Sequence, residues 1–160
     1  MLCDEFLKGA IESGHNAEKI FISDKKINYC TACYYCQKSG GICRIEDDMK
    51  EILEKIIKAD TIVLSSPVYF YSIDAQLKTV IDRIVAKWLE IKNKEFYYIM
   101  TAAEDSQTVM DCTLECFRGL AACLDGSVEK GIIYAKGVYK VGDIKNTTYL
   151  QQAYNMGKNV

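Results

Sequence analysis

TIVLSSPVYFYS, residues 61–72, is the stretch that decides the fold. The run from Thr61 to Ser65 is apolar and rich in branched residues, as in a strand buried on both faces. Pro67, the only proline in the chain, fixes its own φ and holds Ser66 extended. The sequence therefore predicts a central buried strand that gives way to a shaped loop just after residue 65.

Helical and strand-like segments alternate on both sides of this strand. Apolar residues recur at helical spacing in some segments, and short apolar runs indicate strands in others. The predicted helices lie at 3–14, 49–57, 77–88, 110–124 and 146–158, and the predicted strands at 15–23, with its apolar run at 20–22, and at 61–65, 96–101 and 128–135. This alternation predicts an α/β fold with a mostly parallel sheet and helices on both faces, in which ligands bind at the loops after the strands.

Length and composition limit the classes of protein that remain. The chain has 160 residues, 49% of them hydrophobic and 26% charged, which predicts one globular domain over residues 1–160. The net charge of −2 and the lack of a basic block argue against nucleic acid as a partner. The longest apolar runs have five residues, too few to cross a membrane. With no export signal at the start, we expect a cytoplasmic protein whose eight cysteines are reduced.

A loop of 23 residues, 24–46, has neither helical nor strand periodicity and holds half of the cysteines. Loops of this length inside a compact domain are usually functional. Its cysteines follow the pattern C-x2-C-x2-C-x6-C, with Gly40-Gly41 able to turn the chain back, and they are Cys30, Cys33, Cys36 and Cys43. Four thiolates suit a 4Fe–4S cluster or an all-cysteine zinc site, while packing of free thiols without metal stays open as a third interpretation.

Four further features have simpler interpretations. Cys3 and the helical stripe of Cys112, Cys116 and Cys123 are predicted to pack in the core, and the single histidine, His15, to lie on the surface. Asp48 and Asp74 are candidate N-caps of the helices that follow them, with Glu51 as the reciprocal partner of Asp48. Lys78, Asp82 and Arg83 share one helix and predict a surface ion pair or an interface contact.

The loops after two strands carry the candidate ligand contacts. Tyr69, Phe70 and Tyr71 follow the central strand and either flank a flat aromatic ring or plug the edge of the sheet. After Thr101, small side chains at 102 and 103 allow a ligand to approach the backbone, although Asp105 or Ser106 there also reads as a plain helix cap.

Two motifs resemble the NAD(P)H-dependent FMN reductases of flavodoxin-like fold. They are the cysteine run of residues 30–43 with Asp47-Asp48-Met49, and Ser66-Pro67-Val68-Tyr69 followed by Gln76-Leu77-Lys78 and Asp82-Arg83. The compact cysteine run is most similar to the iron–sulfur flavoprotein branch of that family. The resemblance covers roughly residues 2–135.

The resemblance implies a flavin-dependent oxidoreductase that uses NAD(P)H as co-substrate and passes electrons through FMN to a small-molecule acceptor. It implies that FMN contacts two loops, whose residues are Ser66, Pro67, Val68, Tyr69, Phe70, Tyr71, Ser72, Thr101, Ala102, Ala103 and Glu104. It also implies a cluster held beside the flavin by the four loop cysteines, a homodimer or homotetramer, and no side chain that acts as catalytic acid or base.

The sequence departs from the family pattern at its start. The family opens with a strand and a phosphate-binding loop, whereas this chain begins on the helix that follows them, so the first strand is missing. We expect residues 20–22 to pair with the strand at 61–65, or another subunit to cover that edge, and FMN to bind weakly or not at all. The alternatives are a cofactor-free scaffold and a simple electron carrier without nicotinamide activity.

Overall fold

The computed structural model describes residues 1–160. Its six α-helices are α1 (Leu2–Glu12), α2 (Tyr35–Lys38), α3 (Met49–Lys58), α4 (Ala75–Arg83), α5 (Asp111–Ala122) and α6 (Tyr149–Lys158). Its three strands are β1 (Thr61–Pro67), β2 (Glu95–Thr101) and β3 (Val128–Ala135). Four short 3-10 turns lie at Ile22–Asp24, Ile84–Ala86, Gln107–Met110 and Asp143–Asn146.

The strands form one parallel sheet in the order β1-β2-β3. Parallel neighbours need crossover connections, and α4 and α5 provide them. Side chains of β2 alternate between two apolar layers: Phe96, Tyr98 and Met100 join the core shared with α3, α4 and α5. Tyr97 and Ile99 point to the opposite face, where they meet α1 and α6. The prediction of a parallel sheet with helices on both faces is confirmed.

The layer of α1 and α6 depends on two glycines. A Cβ atom on Gly9 would overlap the carbonyl oxygen of Tyr154, and one on Gly157 would overlap the carbonyl of Phe6. The two helix backbones therefore approach each other more closely than any larger residue allows. This contact fixes α1 against α6 and, through Phe6 and Tyr97, against the sheet.

The predicted strand at residues 20–22 is wrong. Residues 15–21 are irregular, Ile22 begins a 3-10 turn, and β1 pairs with β2 alone. Ile20 and Ile22 pack half-buried side chains against the larger core without joining the sheet. A three-residue apolar run has the same sequence pattern whether or not its backbone pairs, so the sequence could not separate the two.

Helix starts follow the predictions at α4 but not at α3. The Asp74 carboxylate accepts a hydrogen bond from the Leu77 N–H over 2.9 Å, as a helix cap should. Asp48 precedes α3 without capping it, because its carboxylate accepts instead from the Lys26 N–H over 2.7 Å. Within the predicted irregular loop, residues 35–38 form α2. None of the helices has the length and apolar character that crossing a membrane requires.

Candidate functional site

The carboxyl ends of the three strands meet at one edge of the sheet. Pro67 lies opposite Thr101, and Thr101 lies opposite Ala135. The Val68 N–H donates to the Thr101 carbonyl over 2.8 Å, and the Ala102 N–H donates to the Ala135 carbonyl over 2.9 Å. The two loops that the sequence singles out therefore begin side by side at the edge where parallel sheets bind ligands.

The loop after β1 is closed at its base by Ser66 and Asp74. Ser66 is buried, and its Oγ accepts from the Asp74 N–H over 2.9 Å and lies 2.8 Å from Asp74 Oδ2. The same Asp74 caps α4 through its other oxygen. The start of α4, and with it the positive end of the helix dipole, is thereby fixed next to the loop.

Two aromatic residues at the tip of this loop adopt a backbone conformation that such residues rarely take. Tyr69 and Ser72 exchange backbone hydrogen bonds of 2.9 and 3.0 Å, and the two residues between them have positive φ, 49° at Phe70 and 63° at Tyr71. This is the φ pattern of a two-residue type I′ turn, which ordinarily carries Asn or Gly. Strain of this kind concentrates at functional sites.

The turn is exposed to solvent, and two of its backbone N–H groups have no hydrogen-bond partner in the chain. Phe70 is fully exposed, and Tyr69 and Tyr71 are mostly exposed, so the three aromatics do not plug the sheet edge. The N–H groups of Phe70 and Tyr71 donate no hydrogen bond within the chain, whereas those of Tyr69 and Ser72 are used in the turn. The turn thus offers aromatic faces and two backbone donors to a ligand.

The loop after β2, residues 102–104, also has backbone N–H groups that are free to bind a ligand. Ala102 is buried, Ala103 and Glu104 are exposed, and the Glu104 carbonyl accepts from the Gly137 N–H over 3.0 Å. The N–H groups of Ala103 and Glu104 make no hydrogen bond within the chain. The predicted cap at Ser106 is wrong, because its hydroxyl bonds the Thr108 hydroxyl and caps no helix.

The four loop cysteines line a single cavity of about 30 Å³ together with Arg83. Cys30 and Cys33 are exposed, while Cys36 and Cys43 are half-buried. No group of three or more His, Cys, Asp or Glu side chains is compact enough to hold one metal ion. Sulfur atoms around one zinc stand roughly 3.8 Å apart, given Zn–S bonds of about 2.3 Å. A zinc site would bring the four thiolates around one ion, whereas a cluster takes one thiolate on each of four irons.

Local structure in the loop prepares Cys33 as a thiolate. A hydrogen bond from the Tyr35 backbone, helped by Thr31 and by the charge of Arg44, lowers the pKa of the Cys33 thiol. Ala32 and Tyr34, on either side, have positive φ of 50° and 56°. Thiolates are the form that binds soft metals, so this backbone shape favours ligation.

Arg83 joins the ends of the cysteine loop, a role that the sequence analysis missed. Its Nη atoms donate to both oxygens of Asp47 over 2.8 and 3.0 Å, and Nη1 also donates to the Asn28 carbonyl over 2.6 Å. Arg83 is 2% exposed and Asp47 3%, so the predicted surface pair involves Lys78 and Asp82 only. A signal was present, since Arg83 follows Leu77 and Val80 at three-residue spacing on the buried stripe of α4.

In the Arg83–Asp47 ion pair, each group shifts the pKa of the other in the direction that keeps both charged. Burial alone would raise the pKa of the Asp47 carboxyl, but hydrogen bonds from Arg83 and from the N–H groups of Asn28 and Met49 lower it. Burial alone would lower the pKa of Arg83, but Asp47 and, more weakly, Cys43 raise it. Both groups therefore remain ionised, as a buried ion pair requires.

The two candidate sites lie at opposite ends of one helix. Asp74 precedes the first residue of α4 and Arg83 is its last. Nine residues of α-helix span about 14 Å along the axis. Within one chain, the cysteine cavity is therefore separated from the aromatic turn by the length of α4.

The remaining cysteines divide between core and surface. Cys3 and Cys116 are half-buried against the two apolar cores, as expected, and His15 is exposed, also as expected. Cys112 and Cys123 are exposed, so the prediction that they pack in the core is wrong. The three cysteines lie within about 40° of one another around the helix, so their place along it decides: Cys112 lies in the first turn of α5 and Cys123 follows its last residue, whereas Cys116 lies in the middle.

The fold and the loop after β1 place this chain among the flavodoxin-like α/β proteins. The sequence model of the NADPH-dependent FMN reductase family matches residues 1–114, and the chain belongs to that family. An iron-sulfur flavoprotein of Archaeoglobus fulgidus is 44% identical over 84 residues, which are 52% of this chain and 38% of that protein. An iron-sulfur flavoprotein of Methanosarcina thermophila is 37% identical over 99 residues, 58% of this chain and 51% of that protein. The chain thus spans about half or less of the length of these relatives.

Solved structures agree on the fold. An NAD(P)H:quinone oxidoreductase from Methanothermobacter marburgensis superposes with a TM-score of 0.79 at 17% identity, covering 99% of this chain and 86% of that one. An FMN-dependent NADH-azoreductase from Bacillus anthracis, solved in complex with FMN, gives 0.69 at 20% identity, covering 99% and 87%. At these identities the likeness establishes shared architecture.

Proposed function

We propose that this chain binds FMN at the carboxyl edge of its sheet and transfers electrons from a reduced nicotinamide to a small-molecule acceptor. The observation that carries the proposal is the outward-facing type I′ turn at Phe70-Tyr71. Non-glycine residues with positive φ are costly, and large exposed aromatics leave apolar surface in water. A planar aromatic ligand would cover that surface and account for both features.

The residues of the two loops have complementary tasks in this proposal. The free N–H groups of Phe70 and Tyr71, and those of Ala103 and Glu104, would donate to ring oxygens and nitrogens. The N–H groups of Tyr69 and Ser72 already bond each other's carbonyls within the turn, so these two residues would add no backbone donor. Ser66, Pro67 and Val68 would shape the loop from behind, with Thr101 and Ala102 beside them.

FMN, when bound, supplies the redox chemistry by accepting a hydride from a nicotinamide and releasing electrons singly or in pairs. The chain then has to bind, orient and shield the ring, and no side chain needs to act as acid or base. The positive end of α4, held beside the loop by Ser66 and Asp74, would favour the extra electron density of the reduced ring.

We further propose that Cys30, Cys33, Cys36 and Cys43 hold a 4Fe–4S cluster. All four thiols line one cavity, and the backbone around Cys33 favours its thiolate. The iron-sulfur flavoprotein names of the relatives support the same assignment.

The exposed aromatics also bear on assembly. Phe70, Trp88 and Leu89 are exposed at the two ends of the α4 region. Apolar groups of this size are normally covered in a working protein. We propose a homodimer or homotetramer in the cytoplasm in which a neighbouring subunit covers part of this surface.

An FMN titration followed by quenching of flavin fluorescence tests the proposed function. The wild-type protein should bind FMN, and Phe70→Ala should weaken binding at least about threefold through loss of aromatic contact. Phe21→Ala removes an exposed phenylalanine on the segment after α1 and is the matched control, expected to leave binding unchanged. The absence of FMN binding by the wild type, or equal affinities of all three proteins, contradicts the proposed site.

Oxidation of NADH or NADPH by the FMN-loaded protein separates the alternatives. Turnover with a quinone or free flavin as acceptor supports the reductase. A protein that binds FMN tightly but oxidises no nicotinamide is a simple electron carrier. A colourless protein that binds neither FMN nor iron is a cofactor-free scaffold.

A further inference from the structure

Arg83 is a charged side chain buried beside the cysteine cavity, where it pairs with the equally buried carboxylate of Asp47. It forms part of the cavity wall with the four cysteines, and its guanidinium is 2% exposed. Four of its five N–H donors belong to the Nη atoms, which bond Asp47 and the Asn28 carbonyl. Its fifth donor, Nε–H, is buried and has no hydrogen-bond partner in the chain.

The Nη contacts tie together the two ends of the cysteine run. Asn28 lies two residues before Cys30, and Asp47 lies four residues after Cys43. Asp47 also accepts from the Asn28 N–H over 2.9 Å and from the Met49 N–H over 3.2 Å. A single guanidinium on the rigid α4 therefore closes the loop that carries all four thiols, before any metal is present.

The unpaired Nε–H indicates an acceptor that the polypeptide alone does not provide. Buried N–H donors in folded proteins nearly always have a partner, and those without one need an explanation. The cavity that Arg83 lines is walled by the four cysteines, and no thiol in it accepts from Nε within hydrogen-bond geometry. Sulfur of a metal cluster is the acceptor that this position would meet.

Resting on the proposed cluster site, we propose that Arg83 is a positioning residue with two roles. Its Nη atoms hold the cysteine loop in the shape that receives a cluster, and its Nε–H donates to a cluster sulfur. A fixed positive donor at that sulfur stabilises the state with one more electron, so Arg83 raises the reduction potential of the cluster. Lysine cannot replace Arg83, because a single ammonium cannot donate to both oxygens of a carboxylate and at the same time donate to a cluster sulfur.

The clamping role can be tested on iron-free protein. Trypsin under native conditions should cut the loop after Lys38 and Arg44, both exposed. Arg83→Gln and Asp47→Asn should each speed this cleavage severalfold relative to the wild type. Arg118→Gln, which removes an exposed arginine bound to Glu115 and Glu129, is the matched control and should not change the rate at which trypsin cleaves the loop. Equal cleavage rates in all four proteins would contradict the proposal that Arg83 holds the cysteine loop in place.

The sulfur contact is tested after anaerobic reconstitution with iron and sulfide. Iron content is measured first, and the midpoint potential is then followed by electron paramagnetic resonance. Arg83→Gln and Arg83→Lys should take up less iron than the wild type, and the fraction that loads should show a more negative potential, whereas Asp47→Asn, which keeps the guanidinium, should shift the potential less. Potentials of the Arg83 variants equal to that of the wild type would overturn the sulfur contact.

Failure of the cluster site itself gives a different result. A wild-type protein that takes up no iron contradicts the proposed cluster and the sulfur contact with it. The trypsin comparison still decides the clamp, because it needs no metal. Loss of iron uptake only in the Arg83 and Asp47 variants supports the clamp, and the Arg83→Lys potential, measured on whatever fraction loads, then decides the sulfur contact.

Discussion

Ser66 and Asp74 hydrogen-bond to each other twice, from the Asp74 N–H to Ser66 Oγ over 2.9 Å and between Ser66 Oγ and Asp74 Oδ2 over 2.8 Å. Seven residues separate them in sequence, and those residues include the whole aromatic turn. The pair joins the end of strand β1 to the N-cap of α4. The geometry of the candidate flavin loop is therefore set from its base.

Replacing Ser66 by alanine should loosen this base. Ser66→Ala leaves the Asp74 N–H without its acceptor in a buried position, which costs about 1–3 kcal/mol of unfolding free energy. Urea denaturation monitored by circular dichroism measures the loss. Ser65→Ala, at the neighbouring exposed position, is the control and should change stability by less than about 0.5 kcal/mol. Equal stability of the two variants would contradict the role of the pair.

The positive φ of Tyr71 predicts that one substitution there raises the stability of the fold and weakens FMN binding. Tyr71→Gly removes a side chain held at φ 63°, and relief of that strain should stabilise the fold by about 1 kcal/mol. The same change removes an aromatic face and should weaken FMN binding. Phe21→Gly, at an ordinary φ of −91°, should bring no gain in stability. A Tyr71→Gly protein that is less stable than the wild type would contradict the strain argument.

The close contact of α1 and α6 predicts opposite effects for two glycine-to-alanine changes. Gly157→Ala places a Cβ against the Phe6 carbonyl and should lower the unfolding free energy by about 1–3 kcal/mol. Gly119→Ala lies on α5 with open space around it and should raise that free energy by up to about 1 kcal/mol through helix propensity. Thermal unfolding of both proteins provides the measurement, and a shift of the same sign in both would count against the packing argument.

The Asp47–Arg83 pair predicts a dependence of stability on acid. The pKa of Asp47 is lowered in the folded protein, so folding favours its ionised form. Its contribution is fully present above the unfolded pKa of about 4 and is lost as the pH falls through the lower folded value. The stability advantage of the wild type over Asp47→Asn should therefore be constant near neutral pH and shrink below about pH 4.

Denaturant midpoints measured across this pH range check the prediction. Asp125→Asn, which alters an 82% exposed carboxylate, is the control and should lower stability little at any pH. A difference between wild type and Asp47→Asn that is independent of pH would show that the ion pair does not carry the effect.

Much of the architecture was predictable because periodicity reports directly on burial. The alternation of apolar helices and buried runs predicted β1, β2 and β3, with β3 exact at both ends, and the helices that cover them. Where a run was short, as at residues 20–22, the same signal was ambiguous, and tertiary packing decided for an irregular segment. The cap at Asp48 failed for a related reason, since its carboxylate found a distant N–H at Lys26.

Sequence by itself determined the layered α/β fold, the family, and the two loops in which chemistry is expected, because residue spacing and the types of side chain after each strand are local properties. Only the tertiary structure showed the positive φ angles of the aromatic turn, the cavity shared by the four cysteines, and the buried grip of Arg83 on Asp47. These depend on contacts between residues up to 55 positions apart, such as Arg83 and Asn28. No local pattern encodes which distant partner a buried charge will meet, because the packing of the whole chain decides it.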